Sequence, residues 1–217
     1  MEKIFIFDLD GVIVDTEGKW LEMWLDFLNN HGFPFTEADY ARFPGGNWKI
    51  FYAELVKMYP NFYSSMEAML EVYHEYFRDY KIDFTKIVFP HVQDLIIALH
   101  QRGYTLVIAS SSPYQHIYEV CEMLDIKQYF SLFVSGYDFT ESKPNPEIYN
   151  FIAKKLNVVP EECWVLEDST YGIQAAKAAN MRVIGRFDDR YGYDQSPSDY
   201  LVHDVIEVLE IVDSSGY

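Results

Sequence analysis

Ile4 to Phe7 is an unbroken apolar run that stops at Asp8-Leu9-Asp10-Gly11. A run without apolar–polar alternation suits a parallel strand covered on both faces. Four later runs share this short, β-prone character: Thr105 to Ala109, Leu132 to Val134, Trp164 to Leu166 and Arg182 to Ile184. The first four of the five runs are followed by a polar or glycine-bearing stretch and then a helical pattern. Val92 to Arg102 carries apolar residues at helical spacing and stops at Gly103. Pro146 opens a helix through Lys155 from an N1-like position, and Gly172 to Ala179 is a small-residue helix able to pack closely. The alternation predicts an α/β fold built on a Rossmann-like, doubly wound parallel sheet.

Residues 16–83 break this alternation. They hold long aromatic-rich helical stretches (Trp20 to Asn30, Lys49 to Tyr59, Met66 to Tyr80) and no clear buried strand. The expected organisation is therefore a core of residues 1–15 plus 84–217, with residues 16–83 inserted as a helical domain whose exits act as hinges. The stripe Trp20, Trp24, Phe27, Phe51, Tyr52, Tyr73 and Phe77 falls near helical spacing and reads mostly as the insert's own core, with one or two members facing substrate. No internal repeat or low-complexity segment is found, and the polar stretch Asp188 to Asp199 reads as an ordinary surface loop before a last helix.

A chain of 217 residues accommodates one sizeable core and a smaller insert, not two full-size catalytic domains. Its 34 acidic against 17 basic residues give a net charge of −17, a field that repels polyanions, so neither nucleic acid nor an anionic membrane is an expected partner. Cys121 and Cys163 lack CxxC spacing and sit in apolar patterns, as reduced structural thiols do. The short first apolar run suits neither a signal sequence nor a membrane span, so a cytoplasmic protein, monomeric or weakly dimeric, is expected.

The polar punctuation carries the chemistry. A strand ending in Asp8-x-Asp10-Gly places two carboxylates at the carboxyl edge of a parallel sheet, where open α/β folds bind ligands. Glu167-Asp168 follows the run Trp164 to Leu166 and should reach the same edge. Four carboxylates there repel one another unless a cation is present, and an oxygen-only set with room for water suits Mg²⁺. Ser110, directly after a strand, and Lys143, before a helix, fit as holders of a phosphate group. The six histidines show no metal-ligand spacing and read as surface or packing residues.

The order strand–DxDG, strand–Ser, Lys-Pro, strand–Glu-Asp resembles the haloacid dehalogenase superfamily across essentially the whole chain. The fragment from Asp8 to Glu17, DLDGVIVDTE, looks like its β-phosphoglucomutase-like branch. The resemblance implies that Asp8 attacks phosphorus to form an aspartyl phosphate, and that Asp10 serves as acid and then base. It implies Mg²⁺ held by the Asp8 and Asp168 side chains and the Asp10 carbonyl, with Glu167 ligating directly or through water. It assigns phosphate contacts to Leu9, Gly11, Ser110, Ser111 and Lys143, with Gly11 at positive φ or allowing close backbone approach. The helical insert becomes a cap that selects a small phosphorylated metabolite, with Thr16, Glu17, Trp24, Arg42, Asn47, Lys49 and Ser112 as candidate substrate contacts.

Departures from the mutase pattern bear on the acceptor. Trp24 matches a cap tryptophan, but Trp20 stands where mutases carry a histidine linked to cap closure. Arg42 to Lys49 replaces a Lys-Gly-x-Ser-Arg-type segment, and Tyr114 occupies an asparagine position although Ser112 is kept. The expectation is thus a Mg²⁺-dependent phosphatase of a small phosphomonoester such as a sugar phosphate. A β-phosphoglucomutase-type mutase is the alternative, and a non-catalytic phospho-acceptor or metabolite-binding module the alternative of another class. Dehalogenation fits less well, because that branch does not typically keep an acid at Asp10.

Overall fold

The computed structural model describes residues 3–40 and 48–215, with the side chains of 48–50 excepted. The chain divides into two compact units: residues 1–16, 83–189 and 193–217, and residues 17–82 together with Arg190–Gly192.

The first unit is a six-stranded parallel sheet. Its strands are β1 (Lys3–Phe7), β2 (Tyr104–Ser110), β3 (Phe130–Ser135), β4 (Cys163–Glu167), β5 (Arg182–Arg186) and β6 (Tyr200–Val202), in the spatial order β3-β2-β1-β4-β5-β6. The order reverses direction at β1, which is where doubly wound sheets open a crevice at their carboxyl edge. Phe7 pairs with Ile108 on one side and Leu166 on the other, so Asp8 comes level with Ala109 and Glu167 near the ends of β2 and β4. Ile4 to Phe7 are fully buried. Ile4 and Ile6 pack with Val107, Val165 and Val183 on one face, while the Phe5 and Phe7 rings meet on the other beside Tyr104 and Phe130. Each such side chain contributes about 1.5–3 kcal/mol of burial free energy.

Nine α-helices are described: α1 (Thr16–Asn30), α2 (Glu37–Tyr40), α3 (Trp48–Met58), α4 (Met66–Tyr76), α5 (Val92–Gln101), α6 (Tyr114–Met123), α7 (Glu147–Leu156), α8 (Thr170–Ala178) and α9 (Val208–Ser214). Pro146 is the N-cap of α7, one position before the N1 expected for it. Strand β6 and the four-residue α2 were not expected. Only Val202 of β6 is buried, so its sequence carries no buried-strand signal.

The helical unit packs around its own aromatics. Trp24 is 1% exposed and stacks on Tyr73 at 4.4 Å between ring centroids, with Phe51 at 4.8 Å. Ser65 caps α4 by accepting from the Ala68 N–H. Among the described residues, no helix is long and apolar enough to cross a membrane.

Candidate active site

The turn after β1 is folded by its own backbone. The Leu9 carbonyl accepts from the N–H groups of Ile13 and Val14 at 2.8 and 3.2 Å, and the Gly11 N–H donates to the Val14 carbonyl at 2.8 Å. Gly11 has φ of +83°, the left-handed region expected of it. A Cβ there would also overlap the Asp168 carboxyl, so the glycine lets the first and fourth strand ends approach. The Asp8 N–H donates to the Leu166 carbonyl at 3.0 Å, extending the β1–β4 ladder into the site.

Lys143 is the cationic centre of this edge. Its Nζ donates to Asp8 Oδ1 and Glu167 Oε1, both at 2.6 Å, and to the Ala109 carbonyl at 3.0 Å. The Lys143–Pro144 peptide is cis. Burial pulls the Lys143 ammonium down, but the adjacent Asp8 and Glu167 more than reverse this, leaving its pKa well above the ordinary lysine value. Burial, joined by Glu167 and Asp10, pushes Asp8 up to about 8 against the opposing pull of Lys143.

Glu167 is 1% exposed and held at both oxygens. Besides Lys143, Oε1 accepts from the Tyr149 hydroxyl at 3.2 Å. Oε2 accepts from the Asp168 N–H at 3.0 Å and from the Ser169 N–H and hydroxyl at 3.2 and 3.1 Å. Asp8, Glu167 and Asp168 can each bring one carboxylate oxygen within 4.8 Å of the others. This buried, oxygen-only donor set without histidine or cysteine fits Mg²⁺. The Asp10 carboxylate is not part of that cluster.

Asp10 turns instead toward a ring of donors. Oδ1 accepts from the Thr16 hydroxyl at 2.8 Å and faces His116 Nε2 at 2.9 Å. Oδ2 accepts from the Ser112 hydroxyl at 2.6 Å and the Ser110 hydroxyl at 3.4 Å. Burial works to raise the Asp10 pKa, but the His116, Ser112 and Thr16 contacts outweigh it and hold the carboxyl below its usual value. His116 shifts the other way: burial lowers its pKa, and Asp10 raises it further than that.

A second layer ties the acidic turns together. The Arg186 guanidinium donates to the Gly11 carbonyl and to Asp188 Oδ2, and Gln195 Nε2 donates to the carbonyls of Asp168 and Arg186, each at 2.5 Å. Asp188 and Gln195 are each 5% exposed, which corrects the expectation of an ordinary surface loop from Asp188 to Asp199. The buried Gln195 amide answers two backbone carbonyls at the sheet edge, and the Asp188 carboxylate answers the Arg186 guanidinium.

Asp8, Glu167, Asp168, Ser110 and Lys143 converge as expected, and Leu9 is a buried turn residue. Ser111 is exposed. Thr16 is 1% exposed and bonded to Asp10, and Ser112 likewise spends its hydroxyl on Asp10, so both act within the site rather than as free substrate contacts. Trp24 is a core residue of the helical unit, which corrects its expected substrate contact. Glu17 Oε2 accepts from the Tyr40 hydroxyl at 3.3 Å. Arg42 and Asn47 lie outside the described residues, as does the side chain of Lys49, a residue of α3.

His116 corrects the reading of all six histidines as remote from the site. Metal-ligand spacing was the wrong test for it, since it meets a carboxylate 106 positions away. Its place in the first turn of the helix after Ser110-Ser111-Ser112 was the available signal, and Tyr149 in the first turn of α7 carried the same one.

A doubly wound parallel sheet with a helical insert after its first strand and a lysine-bridged acidic cluster at its carboxyl edge defines an α/β enzyme with an oxygen-lined site. More narrowly, the family model for haloacid dehalogenase-like hydrolases matches residues 5–186, and the chain belongs to that family. It is 32% identical over 181 residues, 82% of each chain, to a phosphorylated carbohydrates phosphatase of Thermotoga maritima. It is 27% identical over 209 residues, 96% of each chain, to a validoxylamine A 7′-phosphate phosphatase of Streptomyces hygroscopicus subsp. limoneus. A crystal structure of a Thermotoga maritima protein provisionally named a β-phosphoglucomutase superposes with a TM-score of 0.80 at 29% identity, covering 99% of both chains.

Proposed function

We propose that the protein is a Mg²⁺-dependent phosphatase of small phosphomonoesters, sugar phosphates above all, working through an aspartyl phosphate on Asp8. The observation that carries this reading is the pair of differently treated carboxylates on one turn. Asp8 faces Lys143 beside the acidic cluster, and Asp10, two residues on, faces hydroxyls and an imidazole. Asp8 thus stands beside the acidic cluster as the nucleophile, and Asp10 stands among proton-bearing groups as the acid and base. The names of the phosphatase relatives support the substrate class.

An Asp8 oxygen attacks phosphorus while the bond to the leaving oxygen breaks and Asp10 supplies that oxygen with a proton. Water then attacks phosphorus, Asp10 takes its proton, and the bond to Asp8 breaks to release inorganic phosphate. Asp8, Asp168, the Asp10 carbonyl and Glu167 would hold Mg²⁺, which would supply charge neutralisation for the phosphoryl oxygens. Lys143 and Ser110 contribute fixed donors at the same edge. Residues 16–83 are assigned as the cap that chooses the ester, with Glu17, Arg42, Asn47 and Lys49 as its candidate substrate contacts.

The test incubates the protein with Mg²⁺ and a panel of sugar phosphates and follows free phosphate and isomerised ester by phosphorus NMR. Phosphate without isomer is expected. Isomer would establish a mutase, and a stable phosphoprotein with neither product would establish a binding module. Asp8→Asn keeps the side-chain volume and removes the nucleophile, so it should cut turnover by about 10⁴-fold or more with the fold intact. Retained turnover would overturn the assignment.

A further inference from the structure

We propose that His116 is a positioning residue that sets the orientation of the Asp10 carboxylate through an Nε2–H···Oδ1 hydrogen bond. The inference rests on the reading of Asp10 as the acid and base of phosphoryl transfer.

Among the described residues Asp10 meets four donors, three of them at 2.6–2.9 Å and the Ser110 hydroxyl at 3.4 Å. Three of them, on Thr16, Ser110 and Ser112, are hydroxyls, whose O–H bonds swivel about the C–O bond and so fix a donor direction less tightly than a ring N–H does. An imidazole N–H has no such freedom, because its direction is that of the ring. The His116 ring is itself fixed by edge-on packing against Phe84, with centroids 5.4 Å apart at 74°. Phe84 is 2% exposed and anchored by its N–H to Met123 Sδ. His116 also belongs to the first turn of a regular helix rather than to a loop. An ionised carboxylate only accepts, so the nitrogen facing it carries the proton whether or not the ring is charged. The imidazole is thus, of these four donors, the one whose N–H direction is set by its own ring. Misplacing a reacting group by an ångström costs on the order of 100-fold in rate.

His116→Leu keeps bulk and removes the donor, whereas His116→Gln restores an N–H at similar reach. With hexose phosphates and saturating Mg²⁺, His116→Leu should lose about 100-fold in kcat with KM within about twofold, and His116→Gln should return to within about fivefold of wild type. A His116→Leu enzyme with wild-type kcat, or equal losses in both variants, would overturn the proposal. A second readout needs no turnover: in protein labelled with ¹⁵N-histidine, the His116 Nε2–H signal, identified by its loss in His116→Gln, should move on Asp10→Ala. An unmoved signal refutes the contact. Failure of wild type to release phosphate would instead count against the phosphatase reading, and the NMR result would still decide whether His116 holds Asp10.

Discussion

Gly172 is the third residue of α8, and replacing it with alanine probes how tightly the Glu167 carboxylate is held. The backbone there has no positive φ, and alanine in a helix is ordinarily better than glycine by about 1 kcal/mol. Here the added Cβ would fall under 3.0 Å from the Glu167 carboxyl. Glu167 would have to leave Lys143, Tyr149 and the Asp168–Ser169 donors, and at 1% exposure no water stands ready to replace them. Uncoupling a buried charge from its partners costs about 3–5 kcal/mol, so the net effect is a loss of about 2–4 kcal/mol. For a chain of this size that lowers Tm by roughly 10 °C. Because Lys143 bridges Glu167 to Asp8, kcat/KM on a hexose phosphate should also drop by on the order of 100-fold. Urea unfolding and calorimetry of Gly172→Ala, alone and in a Glu167→Ala background, separate the causes: the second context removes the obstructing carboxyl, so alanine should there be neutral or stabilising. A single variant as stable and active as wild type would refute the reasoning.

Three further outcomes follow from the same geometry. Lys143→Met leaves the buried Glu167 carboxylate without its cation, and should cost about 3–5 kcal/mol in urea unfolding of the metal-free protein. Asp8, pushed up to about 8 from 3.8, holds more protons folded than unfolded across that interval. Its contribution to metal-free stability therefore falls as pH rises from about 4 to about 8. Because burial raises the Asp8 pKa, Mg²⁺ binding should release a proton near neutral pH, and progressively less as pH rises above about 8. Calorimetry in buffers of different ionisation enthalpy measures it, and release independent of pH would contradict the assignment. Trp24→Ala removes the centre of the helical unit's aromatic stack and should cost about 3–5 kcal/mol, read by near-ultraviolet circular dichroism and thermal unfolding.

How much was legible in the sequence depended on what kind of contact each residue makes. Strands β1, β2, β4 and β5 show because both sheet faces are covered, so their runs are apolar without interruption. Strand β6 does not, since Tyr200 and Leu201 are exposed and three residues carry no period. Asp8, Ser110, Glu167 and Asp168 were readable because a strand's end fixes where its next residue goes. Lys143 was readable because it precedes a helix that must start at the same edge. Gln195 was hidden for the opposite reason. It reaches the site from a polar loop, and nothing in local pattern distinguishes an amide that bonds the Asp168 carbonyl from one that bonds water.

His116, Tyr149 and Gly172 nevertheless share a signal that pattern reading can use. Each is the third residue of its helix, in α6, α7 and α8 respectively. In a parallel α/β unit each of these helices begins beside the carboxyl edge of the sheet, and Cα–Cβ bonds in a helix tilt toward its N-terminus. A first-turn residue on the sheet-facing side therefore aims back at the strand ends. The three positions use that geometry differently. His116 presents a donor to Asp10, Tyr149 presents a hydroxyl to Glu167, and Gly172 presents nothing, which leaves room for Glu167 to turn toward Lys143. The two positions beside Glu167 should therefore differ in what a substitution costs. Tyr149→Phe deletes one of several bonds to a buried carboxylate, for a modest cost of about 1.5–3 kcal/mol, and so should lower stability less than the single added methyl of Gly172→Ala. Unfolding titrations of the two variants side by side measure the order, and the reverse order would show that the Glu167 pocket is looser than its hydrogen bonds imply.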